Sequence, residues 1–168
     1  AAAAGALTLA FSREFWEQAT IAEVYALNGL LLAVCLLLLI RWHLTQNRPL
    51  LYILAVVYGI SQGNHNTMVL VGPLMALFIL LHDTGPWSAR LRCYVLACLI
   101  AVGSAIVVYA YLPLASLRNP PMDWGNPETL HGWYAHVTRQ QLAFMFDQYP
   151  RSVGRFIHQL GVYGRFWA

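Results

Sequence analysis

The sequence predicts an all-α fold, a polytopic transmembrane helix bundle with short broken helices and an interfacial helical and loop segment on its outer face. Three observations predict it. Hydrophobic residues fill 59% of the 168 positions and charged residues only 10%, whereas a soluble domain carries about one quarter charged residues to hydrate its surface. Apolar runs of spanning length recur between short polar turns that hold arginine. A polar knot at 61–67 interrupts what would otherwise be one over-long apolar run. Lipid is therefore the expected solvent for much of the surface.

Ala1–Phe11 reads as the tail of a spanning helix, too short to cross alone. No positively charged region precedes it, so it is not read as a signal peptide, and the chain is expected to be an internal piece of a longer protein. Ser12 is the expected N-cap of the next helix, with Glu14 in the first turn where the helix dipole favours an acid. An amphipathic entry, Arg13–Ala22, leads into the apolar stretch Val24–Trp42, which is long enough to span.

Arg41–Arg48 and Pro49 form a polar turn. Leu50–Ile60 and Met68–Leu81 follow as apolar segments on either side of the knot Ser61–Thr67. As a single helix they would place Asn and His at the bilayer centre for no gain. As a hairpin of two short helices, the knot becomes a shared turn, and helices that stop inside the membrane line a cavity. His82–Arg92 is polar, with Gly85-Pro86 as its breaker, and Cys93–Leu112 is the last span. The expected division is thus a transmembrane region, 1–112, with a partial N-terminal span and spans at 24–42, 50–60, 68–81 and 93–112. An extracytoplasmic region, 113–168, follows it.

In that second region Asn126-Pro127-Glu128 predicts an N-cap, a proline at the first helical position and an acid in the first turn. Leu130, Trp133, Val137 and Phe144 give the helix an apolar stripe, and Arg139 and Gln140 fall off it. Such a helix lies at a membrane interface or packs beneath a loop. Val153–Trp167 is a second such pattern, interrupted by Gly154, Gly161 and Gly164.

The net charge of +3 comes from arginine alone. Scattered arginines make no nucleic-acid stripe, so no nucleic acid is an expected partner. The three cysteines, Cys35, Cys93 and Cys98, show no metal or disulfide spacing. Turns 41–48 and 82–92 hold the arginine excess and are assigned to the cytoplasmic side. The entry helix, the knot and the segment after Leu112 then share the outer face.

Several polar residues on that face are candidates for chemistry. Glu23 sits where a span begins, at a depth where an acid is paired or functional; the plain alternative is a hydrated interfacial acid. Tyr25 and Asn28 continue a polar strip from Gln18, as a cavity wall or as helix–helix glue. His65, in Gly63-Asn64-His65-Asn66, could contact a phosphate, ligate a divalent metal or move a proton. Alternatively Asn64 and His65 satisfy the free backbone groups of the turn. With no second ligand at helical spacing, no metal site is assigned and no cofactor is required. Asp123-Trp124-Gly125 is either an ordinary turn or a carbohydrate or lipid-phosphate contact. Arg118 and Arg139 are phosphate partners or interfacial snorkelling residues. No GxSxG, HExxH, P-loop or dinucleotide fingerprint is present.

Three blocks in order also carry a resemblance. They are Phe11-Ser-Arg-Glu-Phe-Trp16 with Ala22-Glu-Val-Tyr-Ala-Leu-Asn28, then Gly59-Ile-Ser-Gln-Gly-Asn-His65, then Pro121-Met-Asp-Trp-Gly-Asn-Pro127 with Arg139-Gln-Gln141. Across residues 11–141 the chain resembles the protein O-mannosyltransferase-like family of bacterial and animal membrane proteins, glycosyltransferase family 117 of the GT-C superfamily. Leu142 departs from the aromatic expected there. The resemblance implies a GT-C-like bundle that moves a sugar, mannose in this family, from a polyprenyl-phosphate donor to a protein hydroxyl on the non-cytoplasmic face. It implies a bacterial inner membrane, or the endoplasmic reticulum in a eukaryote, with lipid, sugar donor and protein acceptor as partners.

In such enzymes the essential acid stands in the first outer loop, so the catalytic residue is expected upstream of this chain. Arg118, Arg139 and His65 are then expected at the phosphate or carrier, and Glu23, Asp123 and Trp124 at the sugar or acceptor. Two other classes compete. A transporter or lipid flippase would show a second knot in an inverted repeat, and a non-catalytic scaffold would tolerate changes at Glu23 and His65.

Overall fold

The computed structural model describes residues 2–20, 24–121, 123, 125–138, 140 and 152–166. Every regular element among them is a helix. The chain divides into two units, Ala1–Tyr109 and Ala110–Ala168.

The first unit begins with α1, Ala2–Ala10, and α2, Arg13–Thr20. Ser12 caps α2: its Oγ accepts the Phe15 amide at 3.3 Å. Helix α3 spans Tyr25–Thr45, so the entry helix and the span are separate elements rather than one continuous run. At 21 residues, α3 is about 31 Å long, matching a hydrocarbon core of about 30 Å. It ends on Gln46, whose left-handed φ of 52° lets its amide bond back to the Trp42 carbonyl.

Helix α4, Pro49–Ser61, carries its proline at the helix start, where the missing N–H leaves no helical bond unmade. Helix α5 is Thr67–His82. The apolar stretch around the knot therefore folds as two helices, and the knot contributes the turn Gln62–Asn66 between them. Helix α6 runs Trp87–Ser116, longer than the run Cys93–Leu112 because the polar residues ahead of Cys93 continue the helical backbone. It leaves the first unit after Tyr109. Two helices, α3 and α6, are long and apolar enough to cross a membrane.

A single core holds the first unit together. Cys35, Leu39 and Trp42 from α3 meet Leu51 and Leu54 from α4, Met68 and Met75 from α5, and Cys93 from α6. Helices α4 and α6 approach closely at Gly59, where a Cβ would run into the Ala101 carbonyl oxygen and lie 2.7 Å from Ser104 Cβ. Much of the outer surface of α6 is apolar: Leu99, Val102, Ile106 and Val107 are all exposed.

At one end of the unit, the α3–α4 turn is clamped to the α5–α6 turn around Asp83, which is 8% exposed. The Tyr94 hydroxyl donates to Asp83 Oδ2 at 2.9 Å, and the Gly85 amide donates to Oδ1 at 2.9 Å. Arg48 Nη2 stands 3.6 Å from Oδ1 and Arg90 Nε 3.8 Å from Oδ2. Both guanidiniums are also held by backbone, Arg48 on the Ala89 carbonyl and Arg90 on the Leu80 carbonyl, each at 2.9 Å. Gln46 adds a bridge: its Nε2 donates to the His43 carbonyl at 3.0 Å and to the His82 carbonyl at 3.4 Å. A buried carboxylate with this many donors is stable only while all of them stay in place.

The second unit holds the end of α6, then α7, Leu130–Val137, and α8, Val153–Phe166. Thr129, not Asn126, caps α7: its Oγ1 accepts the Gly132 amide at 3.0 Å. Asn126 instead takes a left-handed φ of 40°, so the chain is still turning there and the helix starts three positions after Pro127. Phe144, assigned to the stripe of this helix, lies outside the described residues. The glycines of the last pattern do not break it, since α8 is continuous through Gly154, Gly161 and Gly164.

Two substitutions test this packing in the full protein. Gly59→Leu is expected to cost about 1–3 kcal/mol by forcing α4 off α6. Asp83→Ala, which leaves two guanidiniums facing each other without their acid, is expected to cost about 3–5 kcal/mol. Both are read as a lowered thermal midpoint in detergent.

Candidate functional site

The opposite end of the hairpin is polar but carries no ion pair among the described residues. Four candidates from the sequence, Tyr25, Asn28, Asn64 and His65, come together there around Thr67. Helix periodicity puts Tyr25 and Asn28 on one face at the start of α3. The knot delivers Asn64 and His65 because the backbone must turn between α4 and α5.

The contacts form one network. Asn28 Nδ2 donates to Thr67 Oγ1 at 3.1 Å, and His65 Nδ1 stands 2.9 Å from the same hydroxyl. The Thr67 amide donates to His65 Nδ1 at 3.2 Å. Asn64 Nδ2 donates to the Val24 carbonyl at 3.1 Å, tying the turn to the start of α3. The Tyr25 and His65 rings are 5.5 Å apart at a tilt of 56°. From α6, the Tyr109 hydroxyl donates to the Gln62 carbonyl at 2.7 Å. Asn28 Oδ1 is buried and accepts no hydrogen bond.

An apolar groove of about 430 Å³ runs along the helices from this end. Tyr58, Val69 and Ala101 line it near the turn, and Leu51, Ile79 and Tyr94 line it towards the Asp83 clamp. Gly72 opens the wall there, because the Tyr58 ring lies against it where a Cβ would collide.

The remaining candidates lie elsewhere. Arg118 is exposed in the turn after α6 and forms no ion pair with a described residue. Asp123 Oδ2 accepts the Ser116 hydroxyl at 2.7 Å, which closes the loop of the second unit. Glu23, Trp124 and Arg139 lie outside the described residues. No group of three or more His, Cys, Asp or Glu able to hold a metal occurs among the described residues.

Thr67 is the functional residue that the sequence reading passed over. Its signal was a hydroxyl at the first turn of a helix, two positions after a histidine, where a side chain must answer free backbone donors.

The family described as the Protein O-mannosyl-transferase TMEM260 N-terminal domain matches residues 1–88. The chain belongs to that family. The mouse protein named "Protein O-mannosyl-transferase TMEM260" is 28% identical over 136 residues, which cover 78% of this chain and 19% of the mouse protein. The chain thus spans about a fifth of the length of that relative. No solved structure matches. The match to the TMEM260 N-terminal domain family takes in α3, α4, α5 and their polar turn whole, and leaves Arg118 and Asp123 outside it.

Thr67→Val keeps the side-chain volume but removes the hub hydroxyl, leaving the Asn28 amide without an acceptor. The expected cost is about 1 kcal/mol, largely local. It is read as hydrogen exchange at the amides of residues 62–67 that is roughly fivefold faster than in the parent, with distant helices unchanged.

Proposed function

We propose that this chain is part of a polytopic membrane glycosyltransferase of GT-C type. It moves mannose from a polyprenyl-phosphate donor to a protein hydroxyl on the non-cytoplasmic face. The observation that carries the reading is the polar turn at the head of an apolar groove. Tyr25, Asn28, Asn64 and His65 meet at Thr67, and the groove leads away from them along α4, α5 and α6. A lipid-linked sugar has the same two-part character, a polar head on a long apolar chain. Membership of the TMEM260 N-terminal domain family and the printed name of the mouse relative support the transfer chemistry.

In the reaction the acceptor hydroxyl oxygen attacks the anomeric carbon, and the bond from that carbon to the phosphate oxygen breaks. Polyprenyl phosphate leaves with the electron pair, and a carboxylate takes the hydroxyl proton. No described carboxylate stands at the turn, so the general base is assigned elsewhere in the protein. Glu23 is assigned to contact with the sugar or acceptor. The turn binds and orients. A donor held with its anomeric carbon in line gains rate through positioning, which accounts for several kcal/mol in well-placed systems.

The test is transfer of radiolabelled mannose from polyprenyl-phosphate donors to protein in membranes that contain the full protein. Donor-dependent labelling is expected, with His65→Ala reducing it at least tenfold. Absence of labelling with every donor, from protein shown to be folded, would overturn the reading.

A further inference from the structure

The hydrogen-bond polarity of the turn is set by one obligate donor. A backbone N–H can only donate, and the Thr67 amide is directed at His65 Nδ1, 3.2 Å away. His65 Nδ1 is therefore the unprotonated, accepting nitrogen, and in the neutral ring Nε2 carries the hydrogen. An accepting Nδ1 2.9 Å from Thr67 Oγ1 obliges the Thr67 hydroxyl to donate to it. That oxygen then has only lone pairs to offer Asn28, so Asn28 must present its NH₂ group, in agreement with the 3.1 Å Nδ2 contact.

The amide orientation, which side-chain density alone rarely distinguishes, thus follows from the network. It leaves Asn28 Oδ1 as the acceptor without a donor, closed off from solvent. A buried acceptor left unpaired is costly, so a donor belongs there. The network also leaves His65 Nε2–H with no partner among the described residues.

We propose that Asn28 Oδ1 and His65 Nε2–H receive hydroxyl groups of the donor's sugar ring, with the half-exposed Tyr25 ring beside His65 flanking that ring. The assignment rests on the transferase reading and narrows it. Phosphate is the wrong chemistry for this pair, because its oxygens accept and cannot supply the hydrogen that Asn28 Oδ1 lacks. A hydroxyl both donates and accepts, so neighbouring hydroxyls on one ring answer both atoms. His65 accordingly belongs to the sugar rather than to the phosphate expected for it from the sequence.

The closing experiment measures binding of polyprenyl-phosphate mannose and of polyprenyl phosphate without sugar to the full protein in nanodiscs. Asn28→Ala is expected to weaken the sugar-bearing lipid about tenfold, the worth of one hydrogen bond to a buried partner, and to leave the bare lipid within twofold. Donors lacking one hydroxyl test the same point on the unaltered protein, where folding is not in question. One of them is expected to lose about tenfold against the parent and nothing further against Asn28→Ala.

Equal weakening of both lipids would assign the turn to phosphate or chain and overturn the proposal. So would parent-like binding by Asn28→Ala together with equal binding of every deoxy donor, the pattern of an acceptor served by ordered water. In either case transfer activity in the parent keeps the transferase reading standing. A parent that binds neither lipid and transfers nothing overturns both.

Discussion

The Thr67 amide is the constraint on which the upper end of the hairpin depends. A helix that starts inside an apolar phase leaves its first amides without carbonyl partners, and lipid supplies none. His65 Nδ1 answers one of them from two positions upstream. Once that bond exists, the hydroxyl of Thr67, the amide of Asn28 and the tautomer of His65 have no freedom left. Asn64 then joins the turn to the Val24 carbonyl, which sets where α3 can begin. The turn that ends α4 and starts α5 also fixes the register of α3 beside them.

The two ends of the hairpin solve the same problem differently. Around Asp83, acceptors and donors are matched: a hydroxyl, a backbone amide and two guanidiniums surround one buried carboxylate. Such a cluster resists change, because removing any member strands the others. Around Thr67 the groups are neutral and the matching stops one atom short, at Asn28 Oδ1. Neutral groups carry a smaller penalty when unpaired than charges do, so an incomplete network is tolerable there and would not be at Asp83. The apolar groove joins the two ends, with a rigid floor at one and a receptive head at the other.

Much of this was legible in the sequence, and the limits have physical causes. Polar residues inside apolar runs stand out, and Tyr25, Asn28, Asn64 and His65 were visible for that reason. The hairpin was legible too, because Asn and His in mid-helix would have been expensive without compensation. The Asp83 clamp was not. Its arginines read as topology signals, and nothing local shows that Tyr94 and Arg48, on other helices, close on the same carboxylate. The cap of α7 was misplaced because Asn126 and Thr129 both suit a cap. Only the backbone decides between them: Thr129 is extended at φ −97° and ψ 156°, whereas Asn126 is left-handed.

Thr67 shows why hubs are harder to read than the residues they organise. A threonine near a helix start has an ordinary explanation, bonding its own helix or cap. Its importance here arises from three partners that approach from different parts of the chain: its own amide's acceptor His65, the ring nitrogen of that histidine, and the side chain of Asn28 across on α3. None of them marks Thr67 as special by itself. The direction of hydrogen bonding does, because it runs from backbone to His65, from the Thr67 hydroxyl to His65, and from Asn28 to Thr67, and it ends on an acceptor with nothing to accept. In a water-exposed turn that last atom would be hydrated and without significance. At the head of an apolar groove, the same unanswered oxygen selects the chemistry of what can bind beside it.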